Sequence, residues 1–335
     1  VGAYESPFAV SNNGGADFST NRNAVVLQGT APLAVQGLLI NGVTYAPSWT
    51  SVSNWSVTVV LASGSNTLQV VGLDADGNPV AGASDSIGVV FTGPDESPFG
   101  NLVINEIMYN PTNDGAEFLE IHNLSTNFAF DLHGMRVAGV DLDFEGSAVI
   151  GPGGFLVIAQ DRVIFGSTYG LEIPVAAEYP GSLDGAGETL RLVRMNGTNE
   201  DLVADQVLYD DDAPWPAAAD GGGPSLQLID PTRDNDRVGN WDVSMVTPCT
   251  PGAPNTTADS LPPFPAFRIN ELMSANAGVL ADWTGDFDPW VELHNGRPNV
   301  IAVELHQAGP NDPDAWLNIE LAATGSVTLV PASSV

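Results

Sequence analysis

The composition of this chain limits its fold and its partners. It has 335 residues, 43% of them hydrophobic, which is enough for two to three domains that each bury a core. It carries 41 acidic and 9 basic residues, all nine of them arginine, for a formal net charge of −32. Such a surface repels nucleic acid phosphates and anionic membranes, so we expect no nucleic acid partner. Two explanations of the charge remain open: a saline or cation-rich environment outside the cell, and compositional drift in an acidic secreted proteome.

The predicted elements are β-strands. Helical periodicity is nearly absent, and 36 glycines and 25 prolines separate short runs rich in Val, Ile, Leu and Thr. Apolar residues alternate with polar ones in residues 56–60, 67–71, 189–193 and 225–229, which places the apolar side chains on one face. The continuous apolar run 155–159 predicts a strand covered on both faces. We therefore expect an all-β fold, with no segment long and apolar enough to insert into a membrane.

A repeated motif organises the second half of the chain. Ile-Asn-Glu-Ile-Met at residues 104–108 recurs as Ile-Asn-Glu-Leu-Met at 269–273. Glu-Ile-His-Asn at 120–123 recurs as Glu-Leu-His-Asn at 292–295, in the same order. Two blocks repeated in order indicate a repeated module and an array of similar domains.

These signals divide the chain into six segments. Their boundaries follow the repeat, the turn residues and the stretches rich in proline. We expect 1–22 to be the end of a preceding module or a linker, 23–93 a first sandwich, 94–100 a linker, 101–255 the first copy of the repeat, 256–266 a proline-rich linker, and 267–335 a second, incomplete copy.

The first copy of the repeat contains a series of short motifs that follow one another in order. They lie at residues 104–108, 117–123, 131–136, 151–157, 187–192, 213–216, 225–229 and 250–255. With these motifs the segment resembles the lamin tail domain as found in secreted bacterial proteins. The resemblance implies an immunoglobulin-like β-sandwich and no catalytic residues, so the fold we expect is a tandem of immunoglobulin-like β-sandwiches.

Residues 23–93 are similar to a bacterial immunoglobulin-like module. The similarity rests on 27–32, 40–42, Trp55, 64–66 and 74–78. This module followed by lamin tail domains resembles large secreted proteins that often carry a kinase-like domain of the spore-coat H type. The 335 residues contain no such kinase segment, so the resemblance implies an extracellular or cell-surface setting without implying kinase activity.

Signatures of catalysis are missing from the sequence. It has no Gly-x-Ser-x-Gly nucleophile elbow and no His-Glu-x-x-His, and without lysine it has no phosphate-binding loop that ends in lysine. Cys249 stands alone in a loop with no basic residue near it, so we interpret it as an inert surface thiol.

Two titratable residue types recur with the repeat. Of the four histidines, His122, His133, His294 and His306, the first and third occupy the same repeat position, which favours a structural role over a metal pair. Glu106 and Glu120 recur in the same way as Glu271 and Glu292, so we interpret them as elements of the fold, with Glu106 accepting bonds from backbone or arginine donors.

Clustered acidic residues are candidates for calcium. Hard oxygen ligands in loops suit Ca²⁺, although polar turns and solvated faces give the same pattern. No cofactor is required by this interpretation, and structural Ca²⁺ is the one candidate. The three groups are Asp74, Asp76 and Asn78; Asp210, Asp211 and Asp212; and Asp282, Asp286 and Asp288.

Two function classes remain open. The first is a non-catalytic array of modules in a secreted or cell-surface protein, with a spacing role or an adhesive role towards a protein or polysaccharide partner. Trp283 is the candidate for a sugar-binding platform. The alternative is the accessory region of a larger secreted enzyme, kinase-like or hydrolytic, whose catalytic domain lies outside these residues.

Overall fold

The chain forms two compact units, residues 1–260 and 261–335. The computed structural model describes residues 6–196, 199–243, 248–261, 267–273, 278, 287, 290–295 and 300–304. The first unit contains two β-sandwiches that follow one another along the chain, and the second unit contributes one described sheet.

Nine strands build the first sandwich. Its four-stranded sheet has the order β1-β3-β7-β6 and its five-stranded sheet the order β2-β9-β8-β4-β5. All described pairings are antiparallel except the parallel pair of β2 and β9. The strands are β1 Ala9–Val10, β2 Phe18–Thr20, β3 Ala24–Thr30, β4 Gly37–Ile40, β5 Val43–Tyr45, β6 Ser48–Trp49, β7 Asn54–Val60, β8 Gly64–Leu73 and β9 Pro79–Phe91.

The core of the first sandwich is apolar and lies between its two sheets. Alternate residues of β7 and β8 point into it, as their period-two pattern predicts. Trp55 fills its centre against Gly29, where a Cβ atom would lie 2.3 Å from the indole ring. The close approach of the two strands at this point therefore requires glycine.

The second sandwich continues directly from the first. A six-stranded sheet, β17-β16-β11-β10-β20-β21, faces a four-stranded sheet, β14-β13-β18-β19, and β12 pairs with β15. The strands are β10 Leu102–Met108, β11 Phe118–Asn123, β12 Phe130–Asp131, β13 Met135–Ala138, β14 Leu142–Asp143, β15 Val149–Ile150, β16 Phe155–Ala159, β17 Val175–Glu178, β18 Glu188–Asn196, β19 Asn199–Tyr209, β20 Leu226–Leu228 and β21 Trp241–Asp242.

The six-stranded sheet is covered on both faces. In β16, Leu156 and Ile158 join the core between the sheets, whereas Val157 and Ala159 join a smaller cluster on the outer face. The helix α1, Arg162–Tyr169, covers that outer cluster with Phe165 and Tyr169. The Asp161 carboxylate begins this helix by accepting bonds from the amides of Val163 and Ile164. Two-sided burial is what the continuous apolar run of β16 predicts.

Short 3-10 turns complete the described helical segments of the first unit. They connect strands at the rim of each sandwich, and apart from α1 the part of the chain that the structure describes contains no other α-helix. Their bounds are Asn12–Gly15, Ala217–Ala219 and Val238–Asn240.

The second unit contains a three-stranded antiparallel sheet in its described part. Its strands are β22 Phe267–Met273, β23 Trp290–Asn295 and β24 Val300–Glu304, in that order. The register of β22 and β23 pairs Glu271 with Glu292 after a bulge between Ile269 and Glu271. In the first unit, β10 and β11 pair Glu106 with Glu120 after a bulge at the same motif position.

The sheets confirm the prediction of an all-β chain built from tandem immunoglobulin-like β-sandwiches. One boundary differs from the sequence analysis, which set residues 1–22 outside the first sandwich. The structure adds β1 and β2 to its two sheets, because short edge strands can pair through backbone groups without a strong sequence pattern.

Candidate functional site

A buried polar cluster lies on the outer face of the six-stranded sheet. Glu106 of β10 and Glu120 of β11 are directly opposed, and the side chains of both have no solvent exposure. Residues 248–256, which we call the strap, cross this face beside α1 and supply many of the hydrogen-bond partners of the cluster.

The carboxylate of Glu106 accepts four hydrogen bonds. Ser225 Oγ donates at 2.5 Å, Gln227 Nε2 at 3.1 Å and the Thr250 amide at 2.8 Å, all to Oε1. Thr250 Oγ1 donates to Oε2 at 3.3 Å. Glu106 therefore ties two neighbouring strands to the strap, through hydroxyl, amide and backbone donors.

Glu120, Asn105 and Asn255 form a second set of buried hydrogen bonds between the strands and the strap. Glu120 accepts from Asn105 Nδ2 at 2.8 Å and from the Gly252 amide at 2.5 Å. Asn255 Nδ2 donates to the carbonyl oxygens of Asn105 and Leu228, each at 2.9 Å. The strap is thus fixed to three strands by buried bonds, which cost free energy when broken because the partner groups lose access to water.

Burial dominates the electrostatics of the two carboxylates. The desolvation of Glu106 raises its pKa, and its hydrogen-bond donors only partly counter this. The pKa of Glu120 is raised to about 8, first by burial and then by the charge of Glu106. At neutral pH the pair therefore holds a proton, since two buried carboxylates so close cannot both ionise cheaply.

The other titratable residues singled out from the sequence occupy structural positions. Burial raises the pKa of Cys249 to about 12, so its thiol stays protonated. His122 stacks on Phe155 with ring centroids 4.3 Å apart, and burial lowers its pKa. His133 is exposed in a turn, whereas the side chain of His294 and the whole of His306 lie outside the described residues.

The first aspartate group closes a hairpin. Asp74 lies between β8 and β9, and its Oδ1 accepts from the amide of Asp76 at 2.9 Å and of Asn78 at 2.8 Å. These bonds form an Asx turn, which is the polar-turn interpretation of this group.

The second aspartate group brings three carboxylates together. Ligand atoms of Asp210, Asp211 and Asp212 lie within 4.8 Å of one another at the end of β19, and within the described ranges no other group of three His, Cys, Asp or Glu residues does so. The third group, Asp282, Asp286 and Asp288, lies outside the described residues, as does Trp283.

Beside the strap lies a groove of about 790 Å³. Its walls combine the Tyr169 ring and Ile173 with Pro224 and Pro248, and Thr112 and Thr168 add hydroxyl groups at one side. The mixture of an aromatic face, prolines and hydroxyls offers both apolar and hydrogen-bonding contacts to a partner.

Sequence reasoning found the carboxylates but not the residues that surround them. Gln227, Thr250 and Asn255 were noticed as parts of a family pattern without a role. The signal for their role was the presence of Asn, Gln and Thr within segments that otherwise match a buried strand and a closing turn, because buried polar groups need partners.

The fold defines a class of protein, an array of immunoglobulin-like β-sandwiches. Within it, residues 95–235 match the Lamin Tail Domain family. This match supports the resemblance seen in the sequence for the second sandwich. No curated protein matches the chain significantly. No helix in the described part of the chain is long and apolar enough to cross a membrane.

Two solved structures show distant similarity. The first is the BSP domain of a biofilm associated protein, with 16% identity over 60% of this chain and a TM-score of 0.18. The second is SGBP-B of the Bacteroides ovatus mixed-linkage glucan utilization locus, in complex with a mixed-linkage heptasaccharide, with 12% identity over 56% of this chain and a TM-score of 0.17. The chain spans 29% and 42% of the lengths of these two proteins. At such TM-scores neither similarity carries an argument about function.

Proposed function

We propose that the chain is a non-catalytic array of β-sandwich modules in a secreted or cell-surface protein. Its modules hold other domains at a fixed spacing or present a surface to a protein or polysaccharide partner. The observation that carries this proposal is the joint between the two sandwiches of the first unit, which is built from buried hydrogen bonds and shared apolar packing.

Asn23 forms the centre of the joint. Its Nδ2 donates to the carbonyl oxygen of Ala129 at 2.7 Å, and its Oδ1 accepts from the amide of the same residue at 3.1 Å. Asn23 is 8% exposed. The side-chain amide of Asn23 thus bonds to Ala129 of the second sandwich as a neighbouring strand would. This pair of hydrogen bonds fixes the distance and the orientation between the two sandwiches at this point.

A second group of contacts, away from Asn23, also joins the two sandwiches. The amide of Ser147 donates to the carbonyl oxygen of Thr44 at 2.9 Å, and Ser147 Oγ and the Tyr45 hydroxyl both donate to Asp131. Phe128 packs against the cores of both sandwiches. A joint with bonds at separate points resists bending more than a simple tether does.

The segment between the sandwiches is also anchored. Glu96 Oε2 accepts from Ser125 Oγ at 2.8 Å, and the Arg194 guanidinium lies 5.2 Å from the centre of the Phe99 ring. The segment predicted as a linker therefore packs on the second sandwich. A fixed joint of this kind is what a spacer requires.

The buried carboxylates support a role without turnover of an external substrate. Glu106 and Glu120 are closed off from solvent, and donors of the strap occupy their oxygens. The alternative function is an accessory region of a larger secreted enzyme with a kinase-like or hydrolytic domain elsewhere. The coding sequence on either side of these 335 residues separates the two possibilities.

The identity of the flanking modules belongs to the same proposal. We place residues 23–93 among bacterial immunoglobulin-like modules and residues 267–335 in a second copy of the lamin tail domain. For the latter, the support is the shared register of Glu271 with Glu292 and of Glu106 with Glu120.

Removing the central contact of the joint tests the spacer role. Residual dipolar couplings of the full chain should give one alignment tensor for both sandwiches, and Asn23→Ala should separate it into two while costing about 1–2 kcal/mol for the lost bonds. Asn127→Ala is the matched control, because the exposed Asn127 side chain bonds only to its neighbour Thr126. Two independent tensors in the unmodified chain would refute the rigid joint.

A further inference from the structure

The side-chain amide of Gln227 is held between two threonines. Its Nε2 lies 3.2 Å from Thr250 Oγ1, while its Oε1 accepts from the amide of Thr256 at 3.1 Å and from Thr256 Oγ1 at 3.0 Å. A backbone N–H can only donate, so the atom that faces Thr256 is the carbonyl oxygen. Gln227 has no solvent exposure.

Glu106 contacts both the amide nitrogen and the threonine hydroxyl. Its Oε1 lies 3.1 Å from Gln227 Nε2, and its Oε2 lies 3.3 Å from Thr250 Oγ1. Burial raises the pKa of this carboxyl group, which makes its ionised form a stronger base than an exposed glutamate. One group is thus placed to remove a proton from a hydroxyl and to return it to a neighbouring nitrogen.

We propose that Thr250 and Gln227 form an intramolecular ester that fastens the strap to β20. Thr250 Oγ1 attacks Cδ of Gln227, a C–O bond forms, and the Cδ–Nε2 bond breaks. Glu106 takes the hydroxyl proton at Oε2 and the carboxyl group returns it to the nitrogen, which leaves as ammonia. Atoms balance without another reactant, because an amide and an alcohol give an ester and ammonia.

The surroundings of the amide favour this step. The two donors of Thr256 point at Oε1, where negative charge develops in the tetrahedral intermediate, and so resemble an oxyanion hole. The strap and the sheet hold the nucleophile against the amide before reaction, which removes most of the entropic cost of bringing them together. Burial keeps out the water that would otherwise hydrolyse the amide or the ester.

This chemistry is a single event within the molecule and leaves no turnover site. It links residues 227 and 250, on opposite ends of the segment that closes the second sandwich. A covalent link at this position prevents the strap from leaving the sheet even when the hydrogen bonds of Glu106 and Glu120 are broken.

The mass of the intact chain tests the proposal. After incubation of the folded full chain, its mass should fall below the sequence mass by one ammonia molecule, and Thr250→Val should keep the full mass. Thr250→Ser should restore the loss, because it retains the nucleophile. Circular dichroism of the valine variant establishes that it folds. A folded unmodified chain that retains the full sequence mass overturns the proposal.

Peptide mapping locates the lost ammonia. A succinimide at any of the four Asn-Gly pairs, at residues 13–14, 41–42, 196–197 and 295–296, causes the same mass change. We therefore require a cross-linked peptide containing Gln227 and Thr250 that hydroxylamine cleaves. Glu106→Gln should slow its formation by at least about 100-fold, as expected for loss of a general base, and Thr256→Val should slow it less. Ammonia loss that maps only to Asn-Gly pairs, or cross-linking that is unaffected by Glu106→Gln, would show the assignment to be wrong.

Discussion

The two sandwiches of the first unit use different means to close their folds. The first has one apolar core between two sheets, centred on Trp55, and the alternating residues of its strands are either inside or in solvent. In the second, all seven residues of β10 are buried, including Asn105 and Glu106. Its outer face is closed by a polar strap. The comparison teaches that burial in the second sandwich depends on donors from distant residues as much as on hydrophobicity.

The largest expected difference between the sandwiches is their response to pH. A carboxyl group whose pKa is raised from 4.5 to about 8 in the folded state keeps a proton that the unfolded chain loses. Its contribution to the free energy of unfolding is therefore constant below pH 4.5. That contribution falls by up to about 1.4 kcal/mol per pH unit as the pH rises to about 8, and it stays low at higher pH.

Urea unfolding at a series of pH values, followed by amide exchange in each sandwich, measures this slope. We expect it in β10 and β11, and Glu120→Gln should reduce it because the variant cannot ionise. Part of the slope should remain in the second sandwich, because burial also raises the pKa of Glu106 and raises that of Asp205 to about 7. A slope that is equal in both sandwiches, or that is unchanged in Glu120→Gln, would remove Glu120 as a source.

The next largest effect is loss of the Glu106 carboxylate. Glu106→Ala removes the acceptor of the Thr250 amide and the nearer acceptor of both Ser225 Oγ and Gln227 Nε2, so we expect the second sandwich to lose about 3 kcal/mol of unfolding free energy. Asp76→Ala, in an exposed turn of the first sandwich, is the control and should change stability by less than about 0.5 kcal/mol. Equal effects of the two variants would mean that the strap contributes little.

Calcium should distinguish the two described aspartate groups. Its effect on the free energy of unfolding should be the smallest of the three predicted effects. Asp74 Oδ1 already accepts two amides and Asp210 Oδ1 accepts one, but Asp210, Asp211 and Asp212 gather three carboxylates in one place. Ca²⁺ at 100 times its dissociation constant should stabilise the second sandwich by about 2.7 kcal/mol.

Thermal unfolding with Ca²⁺, and with Na⁺ at equal ionic strength, checks this expectation. Asp211→Asn should abolish the calcium-specific shift and Asp76→Asn should not. If chelator and millimolar Ca²⁺ leave the melting temperature unchanged, the calcium hypothesis fails and charge screening alone remains.

The sequence predicted the strands well because their pattern is local. Leu68 and Val70, and Leu190 and Leu192, are buried as their period-two spacing requires, and the continuous run in β16 is covered on both faces. The recurrence of Glu106 and Glu120 also favoured a role in the fold for both. The backbone or arginine donors expected for Glu106 are found in part, since one donor is the Thr250 amide and the other described donors are side chains of Ser225, Gln227 and Thr250.

The partners of those carboxylates could not be predicted from local pattern. The Thr250 amide that contacts Glu106 lies 144 residues further along the chain, and the Gly252 amide lies 132 residues beyond Glu120. Nothing in the periodicity of β10 indicates which loop returns to it. The helix α1 was missed for a different reason, since the eight residues between its cap signals, Asp161 and Gly170, give too little periodicity.

The length of chain between Glu106 and Thr250 has a consequence for the order of events during synthesis. Chains emerge from the ribosome from the N-terminus, and domains fold as their residues become available. The first sandwich can close when β9 has emerged, because its last strand ends at Phe91. The second sandwich must expose the outer face of β10 and β11 until the strap follows, so Glu106 and Glu120 remain in contact with water during that interval.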